Sequence, residues 1–375
     1  MLTRPSPVLI PVGEQHWIDT VEQLAVGFAA TVAEDDRSGE LPEAHLRTLS
    51  ASGLDVAFLP VEHGGEALSY ATLGSVVRIL AAAHPAVAAV WLMHIGAAHA
   101  LVSLSAPDAA SYFAAELAAG KRFSNALSEP AGGNFFLSSQ QDAPAVEGGW
   151  RFTGRKMFVS GAEIADHLFV NVRVDGLPAF FGVSVDETIS LPPIDQTSGM
   201  RATRSRGLAF ADTHLPADRL TSPPPPGYAN LISVAFAFLS VGIGEAALDA
   251  LRSYAVGRPV APGSSETLAE TQWVRMETGL VWAELRAARL LAEQTCWLAD
   301  VGDPQAMANA AEAKLLANEV AKKAAAAAVK IGGGSGYLEK SPIQRIFRDA
   351  QAGALMAYNV PFSQEVVGGW VLAAD

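Results

Sequence analysis

The 375-residue chain is predicted to be an α+β protein, mostly α, with its β-structure in the middle. Two changes of texture carry this prediction. From His16 to about Gly120 the pattern is helical and alanine-rich. From Phe123 to about Leu220 it shortens into alternating segments divided by Gly and Pro, and beyond Gly227 it is helical again to the end. The third observation is the run of four prolines, Pro223 to Pro226, a stiff connector between the second and third regions. These place an N-terminal helical domain at 1–121, a central β domain at 122–226 and a C-terminal helical bundle at 227–375.

In the first region, the helical pattern breaks at Pro60, at Gly64-Gly65 and at Pro85. In the second, Trp150 to Val159, His167 to Val174, Ala179 to Val185 and Gly207 to Thr213 read as strands. Gly148-Gly149, Gly176 and Pro192-Pro193 punctuate them. In the third, Trp273, Met276, Leu280, Ala283, Ala287 and Leu290 recur at steps of three and four, so one helix carries a stripe that must pack on a neighbour. Another helix holds Ala324 to Ala328, suited to close approach, and Gly332-Gly333-Gly334 is expected to stop it.

Composition narrows the function. Hydrophobic residues make up 50% and charged residues 17%, which excludes disorder for the bulk of the chain. A net charge of −13 argues against nucleic-acid and anionic-membrane partners, while leaving room for a local basic pocket. The single cysteine, Cys296, fits a reducing compartment. No signal peptide is expected, because Met1 to Gly13 lacks a continuous apolar stretch after Arg4. The apolar run from Leu231 to Gly244 is short for a membrane span and reads as a buried helix. A cytoplasmic protein without a metal site is the expectation.

The most informative motifs are Leu127-Ser128-Glu129-Pro130-Ala131-Gly132-Gly133 and Gly154-Arg155-Lys156-Met157-Phe158-Val159-Ser160-Gly161-Ala162. Both read as short hydroxyl-bearing strand segments beside a turn. Together they suit the face of a ring cofactor, with Ser128 and Ser160 donating hydrogen bonds and Phe158 stacking. The same order of motifs continues: Gly199-Met200-Arg201-Ala202-Thr203, Leu215-Pro216, Arg258, Gln272, Gly332-Gly333-Gly334-Ser335-Gly336-Tyr337, and Arg345, Arg348, Asp349 and Ala350. In this series the chain resembles the acyl-CoA dehydrogenase superfamily of flavoproteins, whose runs read T/S-E-P-x-A-G, G-x-K-x-W-I-T/S, G-x-R-x-S/T, G-G-x-G-Y/F and R-x-x-R-D-A.

The resemblance implies a central β-barrel-like domain, a C-terminal four-helix bundle and a bound FAD, with FMN as the alternative. Leu127, Ser128, Phe158 and Ser160 would line the flavin ring. Gly333 and Gly334 would approach the adenosine-diphosphate half held by a neighbouring subunit, where Arg258 and Gln272 would contact the pyrophosphate. A homodimer or homotetramer follows. Glu129 and Lys156 look like acid–base candidates, but in the family they support the barrel.

The chain departs from the family where the chemistry lies. The glutamate that removes the α-proton of a thioester follows R-D-A in an x-E-G-T context, and Ala357-Tyr358-Asn359 stands there. The alternative place on the first bundle helix reads Leu231-Ile232-Ser233-Val234, without an acid, and Glu245 reads as a helix-surface residue. Tyr358 and Asn359 remain as polar groups able to orient a substrate. His94, within Trp91-Leu92-Met93-His94, is by default a satisfied core histidine. Flavin monooxygenases of the superfamily, however, carry an active-site histidine in that helix and favour G-x-K-x-F-x-S-G.

Two activities therefore compete. The first is α,β-dehydrogenation of a small-molecule or other acyl thioester, on CoA or a carrier protein. The second is a two-component monooxygenase served by a flavin reductase. A catalytically degenerate flavin-binding scaffold is the third reading.

Overall fold

The computed structural model describes residues 8–130, 137–193, 195–356 and 359–373. Six helices come first: α1 (Gln15–Ser38), α2 (Glu43–Ala51), α3 (Leu54–Ala57), α4 (Tyr70–Ala83), α5 (Pro85–Leu104) and α6 (Pro107–Ala118). Helix α1 buries Trp17, Ile18, Val21, Ala25 and Phe28, a helical stripe, and ends at Gly39 in the left-handed conformation that glycine adopts without steric penalty. Ser69 caps α4, accepting the Thr72 N–H. His84 caps α5, with Pro85 in the first turn where its missing N–H is not needed.

The middle of the chain forms two sheets. One has the order β1 (Phe123–Ala126), β4 (His167–Val174), β5 (Leu177–Ser184), with β1 parallel to β4. The other has the order β2 (Ala145–Val146), β3 (Gly149–Val159), β7 (Arg206–Pro216), β6 (Ile189–Ser190), all antiparallel. Their inner faces share a core of Phe152, Val159, Leu168, Val170, Phe181, Leu208 and Phe210. All four predicted strands are present within a few residues. Strand β1 ends at Ala126, however, so the run Leu127-Ser128 leaves the strand rather than forming one.

The last region contributes α7 (Leu231–Gly257), α8 (Gln272–Asp300), α9 (Ala306–Gly336), α10 (Pro342–Leu355) and α11 (Val360–Leu372). The first and third regions share one core: Leu73, Val77 and Leu80 of α4 and Val87, Trp91 and Leu92 of α5 belong with Phe236, Leu239 and Val241 of α7. Gly242 makes the contact of α7 with α4 possible, because a Cβ there would lie 2.5 Å from the Arg78 carbonyl oxygen. Helices α5 and α7 are long and apolar enough to cross a membrane, yet 83% and 89% of their apolar windows are buried inside this fold. They are its core helices.

One of the expectations for this region holds and one changes. The glycines interrupt the helix as expected: the backbone leaves helical geometry at Gly333 (φ +52°, ψ −147°), a conformation glycine tolerates easily, and only a short stretch continues beyond the kink to Gly336. The stripe on α8 is left uncovered among the described residues: Trp273, Met276 and Leu280 are 47%, 68% and 55% exposed. The other face of α8, with Val274, Val281, Leu285, Ala288 and Ala292, is the one packed on the core.

Candidate active site

The paired motifs meet where β1 and β3 end. The Met157 N–H donates to the Ser128 carbonyl at 2.8 Å, and the Ser124 hydroxyl donates to the Ser160 carbonyl at 3.0 Å. Between Lys156 and Val159 the β3–β7 register shifts, and Phe158 takes a φ of +55°. For a bulky side chain this is a strained conformation, of the kind that persists where surrounding contacts impose it. It leaves the Phe158 ring 63% exposed beside the half-buried Leu127 and Ser128.

Ser160 is buried, and its hydroxyl lies 2.9 Å from that of Ser205, which lies 2.9 Å from that of Thr203. Thr203 also donates to the Met200 carbonyl at 2.9 Å. Each hydroxyl has one proton. With Thr203 donating to Met200, Ser205 must donate to Thr203 and Ser160 to Ser205, which leaves Ser160 facing outward as an acceptor. Donation from Ser160 to a ligand requires this chain of hydroxyls to reverse or open. Ser205 was not expected at the site; its place two residues beyond Thr203 is the only sequence signal for it.

Glu129 and Lys156 form a buried pair. Lys156 Nζ donates to Glu129 Oε1 at 2.7 Å and to Asn171 Oδ1 at 2.8 Å; Glu129 also accepts from the Ser139 hydroxyl and the Gln140 N–H. Burial raises the Glu129 carboxyl, but Lys156, Ser139 and Gln140 outweigh it and hold it below the usual range. Both groups are engaged in holding the β region together.

His94 is 1% exposed. Its Nδ1 lies 2.9 Å from the Phe123 backbone N and its Nε2 lies 3.0 Å from Asp55 Oδ2. A backbone N–H only donates, so Nδ1 is the acceptor and Nε2 carries the proton. Asp55 also receives the Trp91 indole N–H at 2.7 Å, the Ser50 hydroxyl at 2.5 Å and Arg122 at 3.4 Å. Burial pushes the His94 imidazole down, reinforced by the Arg122 charge; the Arg122 guanidinium is itself pushed down to about 10 by burial. Burial favours a neutral Asp55, but His94, Arg122 and Ser50 hold its carboxyl far below the usual range. Within this cluster both ring nitrogens of His94 are engaged.

The other predicted residues lie elsewhere. Arg258 is exposed just past the end of α7, Gln272 is the exposed first residue of α8, and Gly333 and Gly334 are exposed at the kink of α9. The Lys330–Glu277 ion pair, 2.7 Å, shows that the start of α8 and the end of α9 run side by side. Among the described residues no hydrogen bond or ion pair joins Arg258 or Gln272 to Ser128, Phe158 or Ser160.

Position 357 and Tyr358 lie outside the described residues. Asn359 caps α11, its side chain accepting the Phe362 N–H at 3.0 Å. Glu245 is not a surface residue: it is buried on α7 and paired with Arg78 at 2.9 Å and Arg289 at 3.5 Å. Asp349 accepts the Met200 N–H and pairs with Arg345, and Arg348 forks onto Asp36 of α1. These carboxylates are bound into the fold.

Comparison with known proteins agrees with this architecture. The family model described as acyl-CoA dehydrogenase, N-terminal domain, matches residues 13–121, and that described as acyl-CoA dehydrogenase, C-terminal domain, matches residues 233–357. A "Probable acyl-CoA dehydrogenase" of Mycobacterium tuberculosis is 27% identical over 343 residues, covering 86% of each chain. Butyryl-CoA dehydrogenase from Megasphaera elsdenii superposes with a TM-score of 0.89 at 22% identity, covering 100% of both chains. FMN-bound TdsC from Paenibacillus superposes with a TM-score of 0.85 at 22% identity, covering 95% of this chain and 97% of that one. With both terminal domains matched by their family models and one fold shared along the whole length, the chain belongs to the acyl-CoA dehydrogenase family.

Proposed function

We propose that this protein is a flavin-dependent oxidoreductase that acts on an acyl thioester. The observation that carries the reading is the grouping of Ser128, Phe158 and Ser160 where β1 and β3 end: an exposed aromatic residue in a strained backbone, with the half-buried Ser128 and the buried Ser160 in the two runs that meet there. Aromatic edge contacts and hydroxyl hydrogen bonds are the donor set a flavin ring takes, and FAD, or FMN in its place, fits it. When bound, the flavin supplies the two-electron acceptor for a hydride leaving the substrate β-carbon.

The chain's own residues bind and orient. Leu127 and Phe158 offer apolar cover, Ser128 and Ser160 hydrogen-bonding groups. Arg258 and Gln272, at the exposed end of the bundle with Gly333 and Gly334, would hold the pyrophosphate of an FAD seated on a second copy of the chain. The unpartnered α8 stripe of Trp273, Met276, Leu280 and Leu290 supports a homodimer or homotetramer. The thioester would be carried by CoA or by a carrier protein.

The proton step sets this chain apart. Alanine at 357 cannot accept a proton, and Glu129, Glu245 and Asp349 are each held in structural pairs. Saturated acyl-CoA substrates are therefore expected to reduce the flavin slowly. The test is anaerobic mixing of the flavin-loaded protein with acyl-CoAs of graded length, for wild type and Ala357→Glu. The variant is expected to bleach the flavin faster, since a positioned general base contributes about a hundredfold to ten-thousandfold. A protein that neither carries flavin nor quenches added flavin would overturn the proposal.

The monooxygenase reading is supported by the FMN-bound structural neighbour and by Phe158 in place of tryptophan. The enclosed geometry of His94 weighs against it, since the imidazole is engaged at both nitrogens. Oxygen uptake with a reductase-supplied reduced flavin separates the two.

A further inference from the structure

We propose that His94 is a positioning residue: through Nδ1 it holds strand β1, and with it the run Leu127-Ser128, in place against α5. The inference rests on the flavin reading of that run given above.

Strand β1 is the edge of its sheet, with β4 on one side only. Its outward-facing polar groups need partners from elsewhere, because an unpaired buried N–H costs about as much as a lost hydrogen bond. Helix α5 supplies them. His94 Nδ1 accepts the N–H of Phe123, the first residue of the strand, and the Met93 carbonyl accepts the Asn125 side-chain N–H at 2.7 Å. Neighbouring residues of one helix thus grip alternate residues of the strand. The residue between them, Ser124, donates instead to the Ser160 carbonyl. Strand β1 therefore links α5 to the two hydroxyl-bearing runs: it leads directly into Ser128 and is tied sideways to Ser160.

Asp55 makes the grip specific. Only the tautomer with its proton on Nε2 leaves a lone pair on Nδ1 for Phe123, and Asp55 Oδ2, an acceptor 3.0 Å away, selects that tautomer. The opposite tautomer would set two N–H groups against each other. Trp91, Ser50 and Arg122 in turn fix the Asp55 carboxylate. The cluster is polar, charged and sealed from solvent, an arrangement better suited to fixing one geometry than to adding stability.

The experiment uses the full chain as His94→Asn, His94→Gln and His94→Leu, with two readouts: hydrogen exchange of the backbone amides of Phe123–Ala126, and the dissociation constant for added FAD and FMN. Asparagine places an oxygen where Nδ1 stood, so His94→Asn is expected to keep Phe123 protected and flavin affinity within about threefold of wild type. His94→Gln and His94→Leu lose the acceptor at that position. They are expected to expose the Phe123 amide and weaken flavin binding about tenfold.

The proposal is overturned if Phe123 stays protected in His94→Leu, or if His94→Asn fares no better than His94→Gln. It is also overturned if His94→Leu binds flavin normally yet loses turnover, which would place His94 on the reacting atoms. Should the wild type bind no flavin, the flavin reading fails, while the exchange pattern still decides whether His94 grips the strand.

Discussion

Asp349 on α10 accepts the backbone N–H of Met200 at 2.7 Å, joining the R-D-A motif of the bundle to the G-x-R-x-T motif of the β region across 149 positions of sequence. The approach is tight: a Cβ on Gly199 would lie 2.3 Å from the Arg348 carbonyl oxygen. Met200 itself is turned into the left-handed region, φ +53°, with its N–H directed at the carboxylate. Two motifs that carry the family resemblance in the sequence form, in the fold, a joint between the β region and the bundle.

Breaking that joint should be expensive. Asp349→Ala leaves the Met200 N–H and Arg345 without their buried partner and is expected to lower stability by about 3 to 5 kcal/mol. Asp349→Asn keeps an acceptor for Met200 and should lose less. Denaturant midpoints compare the three proteins, and an alanine variant as stable as the wild type would show that the joint holds nothing.

Lys314 gives a pH signature. Buried on α9, it donates to the Gly353 carbonyl at 3.0 Å and lies 4.8 Å from the centre of the Phe236 ring. Burial pushes its ammonium down to about 7 from the usual lysine value of 10.5. Between these pH values the unfolded chain binds more protons than the folded one, so this group's contribution increases as pH rises through that window. It is fully present only above 10.5 and is lost as pH falls through about 7. Lys314→Met removes the titration. The stability difference between variant and wild type is therefore expected to shift toward the wild type by several kcal/mol from near pH 7 to near pH 10, at about 1.4 kcal/mol per pKa unit. A difference that does not move with pH would refute this.

Phe158→Gly should separate stability from binding. Glycine adopts a φ of +55° without strain, so the variant is expected to gain about 1 kcal/mol in the absence of flavin. It loses the exposed ring at the same time, and flavin affinity should fall. Thermal unfolding without flavin and fluorescence titration with it give the two numbers; tighter flavin binding in the variant would remove Phe158 from the site.

The α8 stripe predicts assembly. Trp273 and Leu280 are 47% and 55% exposed in the single chain, and Trp273→Glu with Leu280→Glu places charges on that seam. Light scattering is expected to show an even-numbered oligomer for the wild type and a smaller species for the double variant, with weaker FAD retention. A monomeric wild type that still holds FAD would exclude the roles given to Arg258 and Gln272.

The order of helices, strands and helices was legible in the sequence, because periodicity and turn residues are local signals. The strand His167–Val174 matches its expected bounds to the residue, since turn residues flank it on both sides. Family motifs also singled out Leu127-Ser128, Phe158 and Ser160, the residues proposed to face a flavin. What the sequence could not show is which side of a residue faces what. Glu245 reads as a surface acid until α4 and α8 bring Arg78 and Arg289 to it. His94 reads by default as a core histidine, with an active-site role as the alternative, until Asp55 and Phe123 close on its two nitrogens. The α8 stripe shows that an apolar face exists, but only the packing of α7 and α9 decides that this face stays open while Val281 and Leu285 are covered. Local chemistry fixes which elements form. The partners of a buried polar group come from distant segments, and only the tertiary structure brings them within hydrogen-bonding range.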